Sequence, residues 1–226
     1  MSECKTGKPL IARGGSTLRT NPNQLHETEE AGTLALIARE GRRMRAISRH
    51  IWEPACGRGR MARVFSSAGF EVASSDLADR GFGEAPVDFL RTRKLRAPVI
   101  ATNPPYGGMV EKFIRHAAAL GAEYLALLVK VDFFQATEKE KRHLLFAGLP
   151  PSRVHPLGFR LDWTGQGSPV MSCMWVVWDW SAGFGRGRAE PGGQAGLGGI
   201  PFAQFYPPVT KHQALGAARG AFGGQS

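Results

Sequence analysis

Two short stretches of this sequence carry residue types that do chemistry at fixed spacing. The first is Asn103-Pro104-Pro105-Tyr106, set directly after the apolar run Val99-Ile100-Ala101-Thr102. A β-branched apolar run reads as a buried strand, and neither proline can donate to a ladder, so the strand stops there with Asn103 and Tyr106 at its end. In an open α/β sheet the carboxyl ends of the strands are where ligands sit, so this tetrapeptide lies where chemistry is usually done. The second stretch is Glu53-Pro54-Ala55-Cys56-Gly57-Arg58-Gly59, preceded by Ile51-Trp52 and followed by Met61, Val64 and Phe65 at helical spacing. Strand, Gly-x-Gly turn and helix make a nucleotide-type crevice, because the glycines let backbone approach a ligand and the helix start offers free amides. Asp76 ends the next strand-like run roughly 20 residues past the turn, the spacing at which a carboxylate holds ribose hydroxyls.

Placing these residues requires alternating strands and helices. Residues 28–47 carry Leu34, Leu36, Ile37, Met44 and Ile47, an amphipathic helix with Thr28 as N-cap and Gly41 as a candidate interruption. Strands are expected at 51–53, 70–76, 86–90, 99–102, 124–131, 153–159 and 170–178, with helices after the glycine turn, over 109–120 and over 139–146. The last two strands follow each other without a helix, which predicts an α/β, mostly parallel sheet closed by an antiparallel hairpin. Trp175, Trp178 and Trp180 are expected in the core or on a sheet face. Residues 1–23 read as a flexible basic arm, and 181–226 as a Gly/Pro-rich flexible tail containing the Gly-Arg segment Phe184-Gly185-Arg186-Gly187-Arg188.

Composition narrows the partner. A chain of 226 residues supports one good-sized core with extensions. Its 29 Lys and Arg against 19 Asp and Glu give a formal charge of +10, which favours a polyanion, nucleic acid first. No apolar run approaches the roughly 20 residues needed to span a bilayer, and no signal core opens the chain, so a soluble, cytoplasmic protein is expected. Cys4, Cys56 and Cys173 lie too far apart in sequence to suggest a metal site, and their odd count argues against a disulfide framework.

In this order, Glu-Pro-Ala-Cys-Gly-Arg-Gly, Asp76, Asp88-Phe89 and Asn-Pro-Pro-Tyr make the chain resemble the S-adenosylmethionine-dependent amino-methyltransferases, and among them the small phage and prophage DNA adenine-N6 methyltransferases. The resemblance covers residues 24–180 and implies a Rossmann-like class I methyltransferase fold, a mostly parallel seven-stranded sheet with an antiparallel final strand. It implies S-adenosylmethionine as cofactor, with Glu53, Ala55, Gly57 and Gly59 around its methionine part, Asp76 on the ribose, and Asp88 with Phe89 framing the adenine. His26-Glu27-Thr28 lies where the family closes a segment over the cofactor, here without that segment's proline and aromatic residue. It also implies catalysis by Asn103, Pro104 and Tyr106: Asn103 Oδ1 and the Pro104 carbonyl accept the two N–H groups of an exocyclic amine as it becomes tetrahedral, and Tyr106 stacks on the base. Pro105 and Tyr106, with Trp163 in the loop joining the last two strands, are the substrate-binding candidates. Low or short sequence specificity is expected, because no separate target-recognition domain fits in this length. Three other readings stay open on the sequence: an RNA adenine-N6 methyltransferase, a protein glutamine N5 methyltransferase, and a methyltransferase-like protein that only binds nucleic acid.

Overall fold

Apolar runs become the strands of one sheet here, and Pro54 and Pro104 mark where two of the central ones stop. In the computed structural model, residues 28–135, 142–162, 171–181 and 204–222 are described. Strands β1 (His50–Glu53), β2 (Glu71–Ser74), β3 (Val99–Thr102) and β4 (Tyr124–Lys130) are mutually parallel. The long strand β6 (Met171–Asp179) runs antiparallel between β4 and β5 (Arg153–Leu161), and a two-residue β7 (Gln204–Phe205) adds parallel to β5. The order across the sheet is β2-β1-β3-β4-β6-β5-β7. This is the mostly parallel α/β architecture that the pattern predicts, with β6 as its antiparallel strand.

Helices cover both faces. On one, α1 (Glu30–Ile47) and α2 (Arg60–Ser67) bury Leu36, Met44 and Phe65 against a layer that includes Ile51 and Trp175. On the other, α3 (Met109–Ala119) and α4 (Arg142–Gly148) bury Phe113, Ile114 and Leu145 against Trp52, Leu125 and Trp178. Trp175 and Trp178 are three residues apart on β6 and therefore enter opposite layers. Both are fully buried, and Trp180 nearly so. Among the described residues no helix is long and apolar enough to cross a membrane.

Four local expectations are corrected. Helix α1 starts at Glu30 with Glu29 at its N-cap, so Thr28 does not cap it. Gly41 does not interrupt it either: the glycine is buried, and the packed face around it outweighs its weak propensity. The strand expected at 86–90 is absent. Pro86 has no N–H for a ladder, the Asp88 carboxylate accepts the Leu90 amide at 3.0 Å, and Phe89–Arg91 forms a 3-10 turn that drops Phe89 between Trp52 and Phe113. Seven strands are reached instead through β7, from the stretch that reads as tail. That stretch also forms α5 (Lys211–Phe222), and Val209 and Ala214 are buried in the α1 layer. The arm at 1–23, the Gly-Arg segment and Trp163 lie outside the described residues.

A charged cluster closes the amino end of β4. Glu40, 3% exposed, accepts two bonds from Arg153 at 2.8 and 3.0 Å and one from the Tyr124 hydroxyl at 3.1 Å, and pairs with His155 Nε2 at 2.6 Å. Arg153 also reaches Asp179, which Arg43 holds at 2.8 and 3.1 Å. Burial alone would raise the Glu40 carboxyl, but hydrogen bonds from His155 and Arg153 outweigh it and leave its pKa lowered. Asp179, buried yet bonded by Arg43, Ser181 and Arg153, is brought down to about 2. Both carboxylates therefore stabilise the fold above their unfolded values of 4.5 and 3.8 and lose that contribution as the pH falls, for Asp179 through about 2. Glu40→Ala is expected to cost about 3–5 kcal/mol at pH 7, because it leaves buried partners unpaired. Urea denaturation of both proteins should show that difference and its narrowing below pH 4.5.

Candidate functional site

The cleft opens at the carboxyl ends of β1, β2 and β3, where three chain reversals meet. Its wall contains Thr28, Glu53, Ala55, Gly57, Asp76, Asp88, Phe89, Asn103, Pro104 and Pro105. These are ten of the thirteen residues expected at the site. Gly59, Tyr106 and Trp163 are the others. Gly59 starts α2 in the left-handed region (φ +80°), and a Cβ there would meet the Phe82 ring at 2.4 Å, so it lies beneath Phe82 and not on the cleft wall. Trp163 falls outside the described residues.

Backbone bonds set the ends of β1 and β2 level. Ser75 N–H donates to the Glu53 carbonyl and Cys56 N–H to the Ser75 carbonyl, each at 3.0 Å. Asp76 then binds the turn through its side chain: Oδ2 accepts the Gly57 amide at 2.8 Å and Oδ1 the Ala78 amide at 2.9 Å. Arg80 Nε stands 3.9 Å from Oδ1, an ion pair outside hydrogen-bond range, so each oxygen keeps acceptor capacity for a ligand. Asp88 Oδ1 caps the 3-10 turn, while Phe89 is held edge-on by Trp52 and His116.

Glu53 is the unusual group. It is 1% exposed, its Oε2 has no hydrogen-bond partner among the described residues, and it lines the cleft. Burial pushes its pKa well above 4.5, and the nearby Asp76 charge adds to this, against a hydrogen bond from the Ala62 amide. A buried carboxyl with no counter-charge favours its protonated form to higher pH than a free one. A ligand group that carries positive charge, placed at the open oxygen, favours the ionised form and pairs with it.

At the end of β3, Pro104 and Pro105 turn the chain out of the sheet, and the Asn103 Nδ2 donates to Thr28 Oγ1 at 3.2 Å. Tyr106 stands beside the cleft. Its hydroxyl is buried near Cys173, with its pKa raised first by that burial, and Lys130 Nζ lies 5.3 Å from its ring centroid. The sequence reading missed Phe82, which roofs the glycine turn, and Lys130. For Phe82 a signal exists: Gly81 and Gly83 both take positive φ, and this Gly-Phe-Gly spacing bends the loop over Gly59. The basic residues Arg58, Arg60 and Arg80 also reach the wall.

No protein-family model matches the sequence, and no curated protein matches it. Among solved structures, a Listeria monocytogenes chain assigned to the class I S-adenosylmethionine-dependent methyltransferases superposes with a TM-score of 0.50 at 12% identity, over 85% of this chain and 70% of that one. The 23S rRNA methyltransferase ErmE superposes with a TM-score of 0.46 at 16% identity, over 70% of this chain and 68% of its own. The likeness to the Listeria chain shows the fold, that of the class I methyltransferases.

Glu53→Gln tests the state of the buried carboxyl. The unfolded chain ionises this group near 4.5 and the folded protein only at a higher pH, so stability declines as pH rises above 4.5. The amide keeps the acceptor for Ala62 and cannot ionise. It should stabilise the fold by about 1–3 kcal/mol at pH 8, with the gain vanishing near pH 4.5, as read by thermal unfolding across that range.

Proposed function

We propose that this protein transfers a methyl group from S-adenosylmethionine to the N6 amine of adenine in DNA, with low or short sequence specificity. The observation that carries the reading is the shared wall: the Asn103 carboxamide at the end of β3 borders the same cleft as Glu53, Gly57 and Asp76. A nucleoside-type cofactor fits the donor set. Asp76 retains acceptor capacity for ribose hydroxyls, Asp88 and Phe89 offer a carboxylate and an aromatic surface to an adenine, and the open Oε2 of Glu53 meets an ammonium group beside Ala55 and Gly57. When bound, S-adenosylmethionine would supply a sulfonium methyl to the neutral amine and leave as a neutral thioether, while the amine would give up one N–H proton.

The chain's own contribution is positioning and acceptor chemistry. An adenine N6 is a poor nucleophile because its lone pair is delocalised into the ring. Asn103 Oδ1 and the Pro104 carbonyl accept its two N–H groups, and these bonds strengthen as the nitrogen becomes tetrahedral, so they stabilise the transition state more than the ground state. Pro104 has no N–H of its own, which leaves its stretch of backbone offering only an acceptor. Pro105 and Tyr106 form the platform for the base, and a base that stacks on the Tyr106 face covered by Lys130 displaces that ammonium. Extracting the base from a duplex costs a few kcal/mol, offset by stacking and by phosphate contacts from a chain of charge +10.

Transfer of labelled methyl from S-adenosylmethionine to unmethylated duplex DNA, single-stranded DNA, RNA and a protein extract tests this reading. Label is expected as N6-methyladenine in DNA, and Asn103→Ala should lower kcat by about 10²–10³-fold. Label confined to RNA or to protein would overturn the DNA assignment.

A further inference from the structure

Thr28 touches two parts of the fold at once, α1 and the end of β3. It is 3% exposed, although it precedes α1 and does not cap it. Its methyl group faces Gly32, where a Cβ would meet Thr28 Cγ2 at 3.2 Å and Leu161 Cδ2 at the same distance. Gly32 is itself fixed, because its carbonyl accepts the Trp175 indole N–H at 2.7 Å from the core. With the methyl seated there, the hydroxyl is the branch that meets the Asn103 amide. The neighbouring Glu29 holds the segment from two further directions, accepting Lys211 Nζ at 2.5 Å and the Asp162 amide at 3.4 Å.

An asparagine carboxamide turns in a broad, nearly two-fold torsional well, so nothing in the side chain itself decides which edge faces a ligand. One edge donates and the other accepts. An amine that must give up its N–H density needs the accepting edge, and a carboxamide turned the other way would point its own donors at the substrate. In this structure Nδ2 is engaged by the hydroxyl of a side chain that is itself buried.

We infer that Thr28 is a positioning residue for Asn103: its hydroxyl accepts from Nδ2 and so presents Oδ1 as the acceptor for the substrate amine. This inference rests on the methyl-transfer reading for its consequence and on geometry alone for the orientation. Thr28 was assigned above, by resemblance, to a segment closing over the cofactor; orientation of Asn103 is a different role and makes a different prediction.

Thr28→Val keeps the branched shape and the contact with Gly32 while removing the hydroxyl, and Thr28→Ser does the reverse. Two measurements separate the possibilities. The first is independent of activity: the Asn103 side-chain NH2 pair in a 15N–1H spectrum, identified by its loss in Asn103→Ser. In the wild type and Thr28→Ser the two protons should be shifted and well separated; in Thr28→Val they should move toward the positions of an unconstrained amide. The second is kinetic. Thr28→Val should lower kcat about 10–100-fold with the KM for DNA and the Kd for S-adenosylmethionine within threefold of wild type, and Thr28→Ser should recover kcat to within about threefold.

An unmoved NH2 pair in Thr28→Val overturns the inference. So does a raised Kd for the cofactor with kcat unchanged at saturation, which makes Thr28 a cofactor contact, and so does a Thr28→Ser variant as slow as Thr28→Val, which makes the methyl packing the cause. If the wild-type protein methylates no nucleic acid, the functional reading falls by that result, while the spectrum still decides the orientation of Asn103.

Discussion

The cleft depends on one short hydrogen bond, from the Gly57 amide to the Asp76 carboxylate at 2.8 Å. It ties the turn after β1 to the residue just beyond β2 and leaves an anionic oxygen pair on the wall between them. The bond needs Gly57 at positive φ, where its amide can turn toward the neighbouring strand, and it needs β1 and β2 in register so that Asp76 arrives opposite the turn. The ladder Glu53↔Ser74, extended by the Ser75 and Cys56 amides, supplies that register. β3 completes the set. It pairs with β1 through Ile51↔Val99 and Trp52↔Ile100, and its run is ended by prolines at the level where β1 gives way to its own turn. Three strand ends brought level by backbone pairing place Glu53, Asp76 and Asn103 around one space without any contact among their side chains being required.

Two buried carboxylates in this protein show opposite solutions to the same cost. Glu40 lies at the amino end of β4 and is surrounded by an arginine, a histidine and a phenol, so its charge is matched where it sits. Glu53 lies at the carboxyl end of β1 with one backbone amide and an oxygen that has no partner among the described residues. A carboxylate with matched partners keeps its charge and holds a fold together, whereas a buried carboxyl without them favours its protonated form until a cation or donor binds. The sheet thus has a stabilising end and a cleft end, and the distribution of satisfied and unsatisfied polar atoms tells them apart. Fold stability and ligand binding make different demands on identical side chains, which is why burial alone would not distinguish Glu40 from Glu53.

Legibility from sequence followed the same physics. β3 and β4 were readable because each is a continuous apolar run, and β1 because its short apolar pair runs into Pro54 and the glycine turn, while Gly57, Asp76 and Asn103 were readable because their positions relative to those strands are local. Residues 86–90 misled because Val87, Phe89 and Leu90 look strand-like, while what decides them is a proline without a donor, an aspartate that caps its own turn, and an aromatic pocket built by distant Trp52 and Phe113. Residues 204–222 were hidden for a different reason. Glycine and proline dilute the pattern, and among the side chains described there Val209 and Ala214 are the buried ones. Neither the Glu40 cluster nor the link from Thr28 to Asn103 has a sequence signature, since each joins residues brought together only by the finished sheet.

The last described element bears directly on the first. The backbone from Tyr206 to Val209 bonds along β5, through Tyr206 N–H to the Val154 carbonyl and Val209 N–H to the Pro156 carbonyl, and α5 then packs on α1. The ion pair between Lys211 and Glu29 is the visible tie, but it is half-exposed on the lysine side, and pairs of that kind contribute only about 0–1 kcal/mol. Burying Val209 to 1% exposure is worth about 1.5–3 kcal/mol, so apolar contact holds this segment and the ion pair sets its register. Glu29, held in that register, is the residue next to Thr28. The residue that follows Thr28 of the cleft wall is thus tied to a segment more than 180 positions away in the chain.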